Sequence, residues 1–358
     1  MLPDDGGPEL RGVSIGGGTG QPNAIRALHA AGCHVSAIVA MADDGGSTGI
    51  LRQEMGIVPP GDVRKCLVAM ADEERAPLAR AFEHRFDFAD NHALGNLLLG
   101  ALTEETGSFA RAVAVCNRML GCHGEVYPST LESVVLCGTT RDGLEFRGQA
   151  TLGTGPCALS RVWLTPRAPA AYRPAVDAIL EADVVVLGPG SLFTSILPNL
   201  LVPDVLDALM RTKATLVYVC SMADMQGESW GLTAEEYVDA LLSHGLEGRL
   251  DMVLLHRPQE AGQGIATRSF QALTQEQVRD EAARRAAGLS PNLDADPDPD
   301  WYFRPVCLND EMIRRIEARV PAVVVRDFSD PVQPTWHNHA KLTNVLKGVL
   351  ATCRSPQR

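Results

Sequence analysis

The sequence has no C-x-x-C pair, no G-x-x-x-x-G-K-S/T signature, no internal repeat and few aromatic residues, 5% of the chain. Each absence removes a class of protein. Without the lysine-bearing loop the chain does not read as a P-loop ATPase. No apolar run reaches the roughly 18 residues that a membrane-spanning helix needs, so no membrane insertion is expected. The opening Met1-Leu2-Pro3-Asp4-Asp5 has neither the basic nor the apolar region of a secretory signal. Nine cysteines, an odd number, predict a reducing compartment and not a disulfide framework. These points together predict a cytoplasmic protein. The net charge is −12 and no Lys/Arg-rich face is visible, which argues against nucleic acid as the main partner.

What is present is a globular composition: 358 residues, 45% hydrophobic and 21% charged. The most telling stretch is near the start. Residues 12–16 read as a short strand that runs into Gly16-Gly17-Gly18-Thr19-Gly20, then into a helix from about Gln21 to Ala31. A second strand, 35–41, ends at Ala42-Asp43-Asp44-Gly45-Gly46-Ser47. Glycines at a strand-to-helix turn let backbone N–H groups approach an anion, and the helix N-terminus adds partial positive charge. An acid after the second strand is where a ribose hydroxyl is held in dinucleotide-binding folds. The unit therefore predicts a nucleotide or another phosphorylated ligand. A dinucleotide fingerprint needs G-x-G-x-x-G, and the third position here is Gln21. The alternative is a tight turn that merely needs glycine dihedral angles.

A second glycine turn lies mid-chain. The apolar run 182–187 has the pattern of a central parallel strand and ends at Gly188-Pro189-Gly190-Ser191. Both turns follow strands of one expected parallel sheet. They should therefore share a crevice where the strand order reverses. Asp62 reads as an N-cap for a helix with the stripe Val63, Cys66, Leu67 and Met70; Arg64 and Lys65 lie off that stripe. Cations in a first turn oppose the helix dipole, so Arg64 either meets a ligand or a carboxylate or is an ordinary solvated side chain. The run Leu97–Leu102 predicts a helix buried on most sides. Residues 134–147 read as a hairpin around Asp142-Gly143, and Thr233-x-x-Glu236 and Thr274-x-x-Gln277 as capping boxes. Cys116, Cys122 and His123 read as packing residues, His337 and His339 as capping or surface residues, and 290–300 as a mobile acidic loop.

The blocks Gly16–Gly20, Ala42–Ser47, Pro59-Pro60-Gly61-Asp62-Val63-Arg64, Gly95-Asn96-Leu97, Gly188–Leu192 and Pro198-Asn199-Leu200-Leu201-Val202-Pro203 resemble the YvcK family of the CofD-like group. The likeness covers roughly residues 11–350 in one order. It implies a three-layer α/β/α, Rossmann-like domain with a mostly parallel central sheet, spanning 11–352, with short tails at 1–10 and 353–358 and the mobile loop near 288–300. Three departures stand out. Trp336-His337-Asn338 replaces an Arg-His-Asp or Arg-His-Asn entry to the last helix. The block 221–229 differs in wording, and the acidic loop replaces a region where relatives carry a tyrosine.

The resemblance implies two functions. The first is a regulator that binds a UDP-sugar and influences central carbon metabolism and cell-wall synthesis. Gly16, Gly17, Gly18, Thr19 and Gly20 would cradle the diphosphate, with Gly188, Pro189, Gly190 and Ser191 closing the other side. Asp43 or Asp44 would take a hydroxyl, and Asn96 would read a base or sugar edge. Gly45, Gly46, Ser47, Asp62, Arg64 and Asn199 complete the expected ligand-binding set. The second is a CofD-like transferase, in which Asp43 and Asp44 would hold Mg²⁺ against a diphosphate donor. Scarce aromatics leave no obvious platform for a deazaflavin. A NAD-dependent oxidoreductase ranks behind both because the fingerprint is broken. A homo-oligomer, most simply a dimer, is expected.

Overall fold

A computed structural model describes residues 9–152, 157–225, 227–258, 303–331 and 335–353. All four side chains of the strand Val184–Leu187 are buried. Val184 and Val186 enter one hydrophobic core and Val185 and Leu187 the other. Burial on both faces is why this run shows no polar alternation.

The central sheet has seven strands: β1 (Leu10–Gly16), β2 (Cys33–Val39), β3 (Gly124–Pro128), β4 (Val184–Leu187), β5 (Thr215–Val219), β6 (Met252–His256) and β7 (Ala322–Arg326). Their order is β7-β6-β5-β4-β1-β2-β3, and every neighbouring pair is parallel. One face is covered by α1 (Gln21–Ala30), α3 (Gly61–Met70) and the helices Phe109–Leu120 and His339–Cys353. The other is covered by the helices Arg173–Leu180, Pro203–Arg211 and Ala234–Leu241 and by a small antiparallel sheet of Val135–Thr140, Glu145–Arg147 and Leu159–Thr165. This is the expected three-layer α/β/α, Rossmann-like architecture. Two further helices matter for the site: α2 (Gly46–Met55) precedes α3, and α4 (Leu94–Thr106) follows it.

The hairpin at 134–147 and the capping box of Thr233 with Glu236 form as read. Two local readings change. The N-cap of α3 is Pro60, so Asp62 lies inside the first turn, free to turn its carboxylate elsewhere. In α4, Leu99 is fully buried while Leu97 and Leu98 are half-buried, so that helix is less enclosed than its composition suggests. No two of the nine cysteines are bonded. Among the described residues, no single helix is long and apolar enough to cross a membrane. The box at Thr274, the acidic loop and both expected tails (all but their innermost residues) lie outside the described residues.

Candidate functional site

The two glycine turns meet. β1 and β4 are hydrogen-bonded neighbours, with Ile15 beside Leu187, and the Gly188 N–H donates to the Ile15 carbonyl at 2.9 Å. A β-carbon on Gly20 would collide with the Pro189 carbonyl and stand 2.9 Å from Gly190 Cα. Backbone packs against backbone there, which leaves no room for a side chain. The strand order also reverses at this point: the chain runs out from β1 through β2 to β3, then returns to β4 and runs the other way. The crevice at the carboxyl ends of the strands opens at such a switch point.

Two residues of the expected motif support this crossing from beneath. Gln21 is fully buried, and its Nε2 donates to the carbonyls of Ser14 (3.1 Å) and Ile38 (2.9 Å). It laces β1 to β2, which explains why the third fingerprint position is not glycine. Asn199 is also fully buried, and its Nδ2 donates to the carbonyls of Gly16 (3.0 Å) and Ser195 (2.8 Å). It holds the cradle in place, while its Oδ1 is buried without a hydrogen-bond partner among the described residues.

Asp62 links the cradle to the next compartment. Its Oδ2 accepts the Gly18 N–H at 2.6 Å, and its Oδ1 accepts from Lys65 Nζ at 2.9 Å. The glycine turn thus holds a carboxylate of the chain itself. Beyond it lies a compartment of about 360 Å³ lined by Asp43, Gly45, Gly46, Ser47, Thr48, Ile50, Gly61, Arg64, Lys65, Arg85, Asp90, Asn91 and Asn96. Gly46, Gly61 and Asn96 belong to the first turns of α2, α3 and α4. Three helix N-termini and three cationic side chains border this space with two carboxylates, Asp43 and Asp90, and the helix ends and the excess of cations favour an anion. Arg64 is buried, donates through Nη1 to Asn96 Oδ1 at 3.2 Å, and leaves Nε without a partner. Burial, then the neighbouring Arg85, lower its pKa from the usual arginine value.

Asp43 forms an Asx-type turn, accepting the Gly45 N–H at 3.1 Å. Loss of solvent, then the charge of Asp62, push its carboxyl up to about 6. Burial alone would lower Lys65, but the charge and hydrogen bond of Asp62 and the charge of Asp43 outweigh it and raise the ammonium. Asp44 turns the opposite way. Its two oxygens accept the N–H groups of Gln149 (3.1 Å) and Ala150 (2.8 Å), capping the short helix Gln149–Leu152. Of the expected acidic pair, only Asp43 lines the compartment.

On the far side of the glycine turns is a second compartment, about 280 Å³, lined by Thr19, Gly20, Asn23, Gly190, Ser191, Met222, Met225, Glu228, Trp336 and His337, among others. Glu228 is buried and accepts from the Ser191 hydroxyl and from the N–H groups of Phe193 and Thr194, both at 3.2 Å. Burial raises its pKa, and those donors offset part of the rise. His337 is held by a 3.1 Å contact from Nε2 to the Cys220 carbonyl, and burial, then the nearby His256, lower it to about 3. It is a buried member of a cleft wall, not the surface residue the sequence suggested. Glu228 and Arg85 escaped the reading of the sequence, and Lys65 was placed beside Arg64 in the first turn of α3 but not assigned to the site. Glu228 had a signal in the block 221–229 after Cys220, and Lys65 had one as a cation in the first turn of α3, off the apolar stripe.

Residues 13–291 match the model of the 2-phospho-L-lactate transferase CofD family. The chain belongs to the CofD family. A gluconeogenesis factor from Halalkalibacterium halodurans is 41% identical over 247 residues, 68% of this chain and 76% of its own. The Bacillus subtilis gluconeogenesis factor is 41% identical over 246 residues, 68% of this chain and 77% of its own. A Nostoc relative is 40% identical over 263 residues, but the match spans 57% of its length. A crystal structure of a UPF0052 family member from Bacillus halodurans superimposes with a TM-score of 0.78 at 33% identity, covering 95% of this chain and 99% of that one. This CofD family member therefore shares its fold with a solved relative and its sequence with proteins named gluconeogenesis factor.

Proposed function

We propose that this CofD family member binds a nucleoside-diphosphate sugar of the UDP-sugar class and acts in the cytoplasm as a regulator of central carbon metabolism and cell-wall synthesis. The observation that carries the reading is the cationic compartment beside the glycine turns, where α2, α3 and α4 begin and Arg64, Lys65 and Arg85 converge. A diphosphate is the ligand group that best matches this setting. Asn96 offers the remaining capacity of its amide to a sugar or base edge. The name gluconeogenesis factor, carried by relatives 41% identical, supports the metabolic part.

A divalent cation fits this arrangement. Mg²⁺ is held by one or two carboxylates together with substrate phosphates and water. Asp43 lines the compartment, and Asp62 lies close enough for its charge to raise the Asp43 pKa, so these two carboxylates would hold the ion. Among the described residues no group of three or more His, Cys, Asp or Glu could hold a metal without such help. Bound there, Mg²⁺ would neutralise the charge of a diphosphate. This pair, with the family match, favours a second reading: a transferase acting on a nucleoside-diphosphate-linked donor.

Isothermal titration of UDP-sugars, GDP and NAD, with and without Mg²⁺, tests the first reading. Saturable binding of a UDP-sugar is expected, and no binding of any nucleoside diphosphate overturns it. Release of a nucleoside monophosphate in the presence of an acceptor would establish the transferase instead.

A further inference from the structure

We propose that the hairpin Arg85–Ala93 is a lid that closes over the cationic compartment when an anion enters it, with Phe88 as its closing residue. The inference rests on the anion-binding reading of that compartment and adds how the bound ligand is shielded from water and held.

The hairpin joins the helix Ala76–Glu83 to α4 through two short antiparallel strands, Arg85–Phe86 and His92–Ala93. Its base is fixed. His92 and Ala93 are buried, and the Leu94 N–H donates to the His84 carbonyl at 2.9 Å. Its tip is uncovered. Phe88 is 88% exposed, the most of any large hydrophobic side chain among the described residues. Its ring lies 5.1 Å from that of Phe86, centroid to centroid, within the same hairpin. A phenyl ring left in water is stabilised by burial. Ile50 is also exposed and lines the compartment, so an apolar surface is present there to receive it.

The same hairpin senses charge. Arg85, Asp90 and Asn91 line the compartment, whereas Phe88 does not. Arg85 Nη1 donates to the hairpin's own Asn91 carbonyl at 2.8 Å. A phosphate is a charged acceptor and makes the stronger bond to a guanidinium. An anion in the compartment therefore draws Arg85 off that carbonyl and repels the Asp90 carboxylate. A ligand that interacts differently with two conformations shifts the balance between them. Asp90 and Asn91 are the two non-glycine residues with positive φ among those described, at 48° and 57°. Asp and Asn tolerate the left-handed region better than other side chains, yet still at a cost, and such residues cluster in ligand clamps and switch segments. Loss of the Arg85 bond to Asn91 removes one support of that conformation.

Hydrogen exchange on the full chain, with and without saturating uridine diphosphate, tests the closure. Exchange across residues 85–93 should slow by about 5-fold or more when the ligand is bound. A closed lid delays release, so Phe88→Ala should raise koff by about 5-fold or more and change kon by less than about 2-fold in stopped-flow displacement. Phe88→Leu should restore most of the slow release. Phe88 stands outside the compartment in this structure, so closure is what brings it to bear on release. Its exposure means that both variants should fold, which circular dichroism will verify. Binding with unchanged exchange across 85–93 overturns the lid and leaves the anion compartment standing. An unchanged koff in Phe88→Ala does the same. If no nucleoside diphosphate binds wild type, both readings fall.

Discussion

The Asp62 carboxylate accepts the Gly18 N–H at 2.6 Å while Lys65 donates to its other oxygen at 2.9 Å. The anion in the glycine cradle is therefore supplied by α3. An external phosphate must either displace Asp62 or bind beside it, in the compartment of Arg64, Lys65 and Arg85.

Asp62→Ala would leave the Gly18 N–H and the Lys65 ammonium without their acceptor. A destabilisation of about 1–3 kcal/mol is expected in urea denaturation. The emptied cradle should then take an outside anion. Sulfate should recover part of the loss in the variant and raise wild-type stability less. An equal response of both proteins would mean that the cradle does not bind free anions.

Burial, then the charge of Asp62, push the Asp43 carboxyl from its ordinary 3.8 up to about 6. Between these values the folded protein keeps a proton that the unfolded chain has released. Its contribution to stability is therefore present at low pH and is lost as pH rises through that window. At pH 7 the charged form is disfavoured by burial and by Asp62, with Lys65 partly compensating. Asp43→Asn keeps the oxygen that accepts from Gly45. It should match wild type near pH 4 and exceed it by about 1–2 kcal/mol at pH 7. Parallel stability–pH curves would show that Asp43 titrates normally.

Gln21 shows how a missing motif residue can be a structural requirement. Gln21→Ala would strip two buried carbonyls, those of Ser14 and Ile38, of a donor. A cost of about 2–3 kcal/mol is expected. Gln21→Gly completes the dinucleotide fingerprint on paper, yet it should be less stable still, by up to about 1 kcal/mol for glycine inside a helix. Chemical denaturation of the two variants checks the order, and titration with NAD should show no gain in affinity.

Asp44→Ala separates the two acids. Loss of the cap on Gln149–Leu152 should cost about 0.5–2 kcal/mol. Nucleotide affinity should stay within ~2-fold of wild type, with or without Mg²⁺. A tenfold or larger drop in affinity in the folded variant would return Asp44 to the ligand site.

Local order in the chain was sufficient to read the β-α-β start, the second strand–glycine turn, the hairpin and the capping box. These features depend on periodicity, glycine dihedral freedom and caps, all of which act over a few residues. The pairing of the two turns was also legible, because parallel strands of one sheet place their ends on the same edge. Tertiary structure decided which side chains reach the crevice. Asp43 and Asp44 are adjacent in sequence and follow the same strand, yet one lines the compartment and the other caps a helix 105 residues away. Asp62 looked like an ordinary cap until Gly18 was found within hydrogen-bond reach, and Arg85 carried no local signal at all. Side-chain direction at the end of a strand is set by whichever unpaired N–H or charge packs nearest. That partner comes from a distant segment, so neither composition nor spacing could name it.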